Sequence, residues 1–137
     1  MKIYYMIWVD GIKKMQSVPT NKGHWKFQMF IHMSMAMALN IAMIMSILQL
    51  HILGFVFYDI KFSCLPGTKL NDALSFFTLY MLLPMSLNYF FIFWRNRYKM
   101  ILSKYSYRNG KLAILYIFGS YIFAWVYAIF FTPRHDI

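Results

Sequence analysis

Three long apolar stretches, 27–54, 73–94 and 112–131, leave this chain few ways to fold. A helix rises ~1.5 Å per residue, so about 20 apolar residues cross the ~30 Å hydrocarbon layer of a bilayer. Each stretch meets that length. Lipid offers no hydrogen-bonding partner, so the backbone N–H and C=O groups of a spanning segment must be satisfied internally, as in a helix. Composition agrees. Hydrophobic residues make up 61% and charged residues 13% of the sequence, whereas a soluble domain carries roughly 45–50% and 25%. The expected fold class is therefore an all-α membrane protein, with three transmembrane helices and a short N-terminal amphipathic interfacial helix. With 137 residues the chain is long enough for one domain and too short for two.

The chain divides accordingly. Segment 1–26 is amphipathic: Ile3, Tyr4, Ile7, Trp8, Ile12 and Met15 recur at helical spacing, with Asp10, Lys13, Lys14 and Gln16 mostly on other faces. Trp and Tyr beside Lys suit the headgroup boundary, and packing on the membrane helices is the alternative setting. Gly11 weakens this helix and Pro19 marks its end. The first stretch, 27–54, is longer than the hydrocarbon layer requires, so it tilts or extends into the interfaces. The connection 55–72 carries the turn signal Pro66-Gly67, and Asn71 or Asp72 is placed to cap the second helix. Within 73–94, Pro84 removes a backbone donor and predicts a kink. The connection 95–111 either prolongs the second helix or forms a short surface helix, and Asn109-Gly110 ends it. The third stretch, 112–131, leads into the tail 132–137. A retained first helix is expected rather than a cleaved signal: Ala36-Met37-Ala38 imitates a cleavage site, but the apolar run continues past it. Lys at position 2 excludes N-myristoylation.

Charge orients the chain. The net charge is +10, from 14 Lys and Arg against four Asp and no Glu. The segment before the first helix holds five Lys and one Asp. Residues 55–72 balance Lys61 and Lys69 against Asp59 and Asp72, 95–111 holds six cations and no acid, and the tail pairs Arg134 with Asp136. Positive segments stay in the cytoplasm. The alternation places the N-terminus and 95–111 inside, with 55–72 and the C-terminus outside. Lys13, Lys14, Arg95, Arg97, Lys99, Lys104 and Arg108 are candidate contacts for anionic lipid headgroups, although setting topology alone would account for them. A nucleic-acid partner is not expected, because no soluble region is large enough to read one.

Inside the stretches, small residues at four-residue spacing mark candidate packing faces: Ser34, Ala38, Ala42 and Ser46 in the first, Ser120, Ala124 and Ala128 in the third. Such stripes let helix backbones approach closely, either within the chain or toward another chain. Asn40 and Asn88 are the candidate intramembrane polar residues. An unpaired amide in hydrocarbon is costly, so both are expected to face inward and bond between helices, or to line a polar path.

No catalytic set, cofactor site or metal site is expected. Cys64 is the single cysteine, which excludes an internal disulfide, and no histidine lies near it in sequence to activate it. His32 and His51 are about 28 Å apart along one helix, so they cannot share a metal within one chain. Two copies would be needed to bring equivalent histidines together. Paired carboxylates, phosphate-cradling glycine loops and CxxC or HExxH patterns are absent.

The run from Tyr4 to Asp10, Asn21-Lys22 with Trp25-Lys26, and His51-Ile52-Leu53-Gly54-Phe55 with Pro66-Gly67-Thr68-Lys69 resemble a group of small, uncharacterised three-helix membrane proteins of Bacteroidota. The resemblance covers most of the chain. It implies a bacterial inner membrane and carries no chemistry. The leading functional expectation is a non-enzymatic subunit or accessory of a membrane assembly, a homo-oligomer or a larger complex. The alternatives are a homo-oligomeric pore around Asn40, Ser34 and Ser46, and a lipid-acting enzyme using His24, Asp10 or Asp59.

Overall fold

The computed structural model describes residues 1–21, 23–56 and 60–131. The tail 132–137, with Arg134, His135 and Asp136, lies outside them, as do Lys22, Tyr58 and Asp59. All regular structure among the described residues is helical. Helix α1 spans Lys2–Ser17 and α2 spans Trp25–Ser46, continued by wide π-type turns over Ile47–Leu53. The second long run starts with α3 (Thr68–Phe76) and α4 (Leu82–Asn88), joined by a wide turn at Phe77–Met81 and followed by another at Tyr89–Phe93. Short α5 (Arg97–Lys104) and long α6 (Lys111–Phe130) complete the chain. Three helical runs, Trp25–Leu53, Thr68–Lys104 and Lys111–Phe130, are long and apolar enough to cross a membrane.

Local sequence explains the boundaries. Between Trp25 and Leu53 there is no Gly or Pro, and Ala, Met and Leu favour helix. Gly54 ends the run in the left-handed region, at φ 73°. The second run begins at Thr68, five residues earlier than its apolar stretch. Neither Asn71 nor Asp72 is its cap: the helix starts ahead of them, after Gly67 and without a side-chain cap, and Asn71 instead reaches back from the first turn to bond the backbone of Leu65 and Gly67. At Pro84, which is buried, the expected irregularity takes a particular form. Its ring crowds the carbonyl four residues back, Tyr80, and Tyr80 lies in the wide turn Phe77–Met81. The basic connection resolves into the short-helix alternative. Arg95 (φ 52°) and Asn96 (φ 57°) are left-handed and kink the Thr68–Lys104 run where α5 begins. Asn109 and Gly110 are left-handed too and turn the chain into α6.

The core sits at one end of the bundle, the end that carries α5 and the α1–α2 and α5–α6 turns. We call it the basic end. Trp8, Val9, Ile12, Trp25, Met29, Met33, Ile92, Tyr98, Ile101 and Ala113 form one buried cluster there. Helix α6 packs against α2 and α1, while α2 also packs against α4. At the opposite end, Ile52, Leu53, Phe55, Phe123, Trp125 and Phe130 are exposed, as befits residues facing acyl chains.

Helix α1 settles the choice between its two settings: it packs on the membrane helices. Advancing along α1, Tyr4 reaches Asn88, which bonds Ser34 of α2; Trp8 packs edge-on against Phe93; and Gly11 meets Met29. Helix α1 therefore runs antiparallel to α2. It sinks alongside the bundle, with Tyr4 at the level of a residue about 13 Å along α2 from Trp25. Five consecutive residues, Trp8 to Ile12, are buried. A helix in the headgroup plane would show one dry face only. Burial on all sides means that other helices surround this stretch.

Candidate functional site

The most organised polar structure lies where α1 meets α6. Asp10 is fully buried. One carboxylate oxygen accepts from the backbone N–H of Arg108 at 2.7 Å and of Gly110 at 2.9 Å; the other accepts from Leu112 N–H at 2.8 Å. The first N–H groups of a helix have no intrahelical partner and form a partly positive end. Asp10 takes the N–H of Leu112 in the first turn of α6 and those of Arg108 and Gly110 in the turn that leads into it, from about a hundred residues away in sequence. No side chain of the 109–112 turn caps α6, so this carboxylate acts as its cap. Gly110, at φ 78°, allows the turn to close under Lys14; a Cβ there would lie 2.7 Å from Lys14 Cγ. On α1, a Cβ at Gly11 would overlap the terminal methyl of Met29 and lie 3.1 Å from Ala113 Cβ. At Gly11, α1 thus lies close against both α2 and α6. The glycine's helix-weakening effect is offset by packing.

A second polar relay crosses the bundle deeper in. The Tyr4 hydroxyl donates to Asn88 Oδ1 at 2.7 Å, and Asn88 Nδ2 donates to Ser34 Oγ at 2.9 Å. Asn88 and Ser34 are fully buried. Burial pushes the Tyr4 hydroxyl well above its ordinary range, so it remains a protonated donor. A third set joins α2 to α6. Asn40 Nδ2 donates to Ser120 Oγ at 2.9 Å and makes a longer contact of 3.4 Å with the Tyr116 hydroxyl; Ser120 in turn donates to the Tyr116 carbonyl. Asn40 joins α2 to α6 and Asn88 joins α4 to both α1 and α2, as isolated amides in lipid require.

The small-residue stripes divide. Ser34 and Ala38 are buried and Ala42 and Ser46 half-buried, which sets the first stripe inside the bundle. In the third run Ser120 is buried, Ala124 half-buried and Ala128 exposed, so that stripe leaves the interior as α6 proceeds. Among the candidate headgroup contacts, Arg95, Arg97, Lys99, Lys104 and Arg108 are exposed. Lys13 and Lys14 are half-buried, and the methylenes of Lys14 cover Gly110. Lys14 therefore contributes packing as well as charge. Lys26 lies 5.0 Å from the Tyr98 ring centroid and 5.8 Å from that of Trp25, within cation–π range.

The other residues singled out by sequence stand apart. His32 is exposed and its ring nitrogen contacts the Gln28 carbonyl, while His51 packs edge-on against Tyr127 and Phe131. Cys64 is exposed in the connection at the opposite end. His24 precedes α2 and is exposed. Asp10, grouped by sequence with the polar faces of α1, proves to be the centre of the α1–α6 junction. Its signal was its position, an acid between Val9 and Ile12 in the most apolar part of α1. Tyr4 and Tyr116 carried no such mark, because interfacial tyrosines look the same in a sequence. Comparison with protein-family models, with curated proteins and with solved structures finds nothing that matches this chain.

Proposed function

We propose that this chain is a non-enzymatic subunit or accessory of a membrane assembly, formed with copies of itself or with a larger membrane complex. One observation carries the reading. Asp10, Asn40 and Asn88, the polar groups best placed for chemistry or for a path, are already bonded to other helices of the same chain. Groups committed in this way hold helices together and are not gathered, among the described residues, into a converging set for a reaction. All three long runs expose apolar side chains, and on α6 these include Leu115, Phe118, Ile122 and Trp125, with the small stripe coming to the surface at Ala128. A small side chain on such a flank lets a second helix approach.

The test is the mass of the protein purified in mild detergent from native membranes, with and without Ala128→Phe. The reading expects a particle larger than one chain, and a shift toward the single chain when the bulky ring blocks approach. A strictly monomeric particle that recovers no partner overturns it.

We place the basic end in the cytoplasm of a bacterial inner membrane. Support comes from the gathering of Lys13, Lys14, Lys26 and the 95–111 cations at one end of the bundle. Cys64, as the single cysteine, makes this testable. A membrane-impermeant maleimide should label it in intact spheroplasts, and labelling only after lysis reverses the orientation.

A further inference from the structure

Where the second long run leaves its apolar stretch, α5 folds back against α1 and forms a cleft of about 120 Å³. Arg97 and Lys104 line it together with Tyr5, Phe91, Met100 and Tyr105. Arg97, Met100 and Lys104 fall at i, i+3 and i+7, on one face of α5. Two cations thus stand at the ends of a stripe with a thioether between them. The rings of Tyr5 and Tyr105, with centroids 6.0 Å apart, form a wall, and Phe91 supplies an apolar floor. Arg97 donates one N–H to the Phe90 carbonyl at 3.5 Å, which ties its guanidinium to the end of the membrane run and leaves other donors of the fork available.

Among the described residues, no carboxylate lines this cleft. Asp10 is the one acid in the sequence before Asp59, and its two oxygens are occupied by the backbone of Arg108, Gly110 and Leu112. The remaining acids, Asp59, Asp72 and Asp136, belong by sequence to the opposite connection and the tail. A cleft with two cations, an apolar floor and no carboxylate among its described lining residues, set at the edge of a membrane run, calls for a ligand with an anionic head and a hydrocarbon body.

We propose that this cleft is a discrete binding site for an anionic phospholipid of the surrounding leaflet. Arg97 and Lys104 take the phosphodiester oxygens, and the glycerol and first acyl carbons lie over Phe91 and Met100. The guanidinium and ammonium suit a phosphodiester. The small volume admits the phosphate and its neighbouring carbons while the chains continue into the bilayer. A free phosphate would gain nothing from the floor, which is why the lipid is the occupant chosen. This goes beyond a general attraction of basic residues to an anionic surface, because it singles out two cations among the many at this end.

The experiment uses the full chain, delipidated in a neutral detergent and titrated with short-chain phosphatidylglycerol, short-chain phosphatidylcholine or inorganic phosphate. Native mass spectrometry reads the bound species. Two double variants remove the same charge: Arg97→Gln with Lys104→Gln inside the cleft, and Arg95→Gln with Lys99→Gln outside it. The site predicts preferential retention of phosphatidylglycerol. It also predicts about a thirtyfold weakening in the cleft pair, the loss of two cations facing an anionic headgroup, against less than about threefold in the outer pair. Equal weakening in both pairs would show a diffuse field and overturn the proposal. So would equal binding of the two lipids, or displacement of phosphatidylglycerol by inorganic phosphate at matched concentration. If the cleft pair does not fold, Lys104→Gln alone decides: about fivefold weaker binding supports the site, and unchanged binding by the folded variant overturns it.

Discussion

Helices α1 and α6 are each long enough to matter to the bundle, and they are treated in opposite ways. Helix α1 carries Asp10, Lys13 and Lys14, yet Trp8, Val9, Asp10, Gly11 and Ile12 are buried in succession. Helix α6 is almost wholly apolar, yet only Ala113 and Ser120 are buried; Leu115 is 72% and Phe130 74% exposed. In water the reverse would hold. In lipid, apolar side chains gain little by leaving acyl chains, so helix association rests on close packing and on polar groups that find one another. The polar content of α1 draws it into the bundle, while the greasiness of α6 leaves it facing outward.

The strongest way to break that contrast is Asp10→Ala. It leaves the backbone N–H groups of Arg108, Gly110 and Leu112, across the α5–α6 turn and the first turn of α6, without their buried acceptor, and should cost about 4 kcal/mol, read by denaturant unfolding in detergent micelles. A loss below about 1 kcal/mol would show that α1 is an accessory to the fold and not part of its core. Gly11→Leu comes next. The added side chain must displace Met29 and press on Ala113, for an expected loss of about 2–3 kcal/mol. Gly11→Ala should cost less, because the Met29 thioether can move.

The two asparagines sharpen the picture. Asn88→Leu strands the hydroxyls of Tyr4 and Ser34 in a dry interior and should cost about 1–2 kcal/mol. Asn40→Leu leaves Ser120 still bonded to the Tyr116 carbonyl, so about 0.6 kcal/mol is expected. The same unfolding assay ranks them, and a reversed order would mean that the α2–α6 contact, not the α1 relay, holds the bundle. At the small end stands Phe118→Ala on the exposed face of α6. Detergent or lipid replaces the ring, so the change should stay under about 0.5 kcal/mol. A loss above about 2 kcal/mol in the purified particle would place a protein partner on that face.

Much of this architecture could be read residue by residue. The three runs follow from uninterrupted apolar length, the α5–α6 turn from Asn109-Gly110, and the disturbance near Pro84 from a missing donor. The need for Asn40 and Asn88 to find partners followed from the cost of a lone amide in lipid, but which partners did not. Ser34 lies 54 residues from Asn88, and Ser120 lies 80 from Asn40. Such pairings depend on the relative rotation and depth of whole helices, which no local pattern encodes. The cleft between Arg97 and Lys104 was equally hidden. The sequence shows a row of cations, while the left-handed residues Arg95 and Asn96 decide that α5 folds back to face Tyr5.

By itself, the sequence determined that the chain crosses a membrane, how often, and where positive charge collects. Those properties are sums over contiguous residues, and the bilayer responds to them as such. Only the tertiary structure decided that α1 is a core helix, that Asp10 caps α6, and which polar groups bond which. Such contacts join positions far apart along the chain, and they form only when packed backbones bring a donor and an acceptor within about 3 Å.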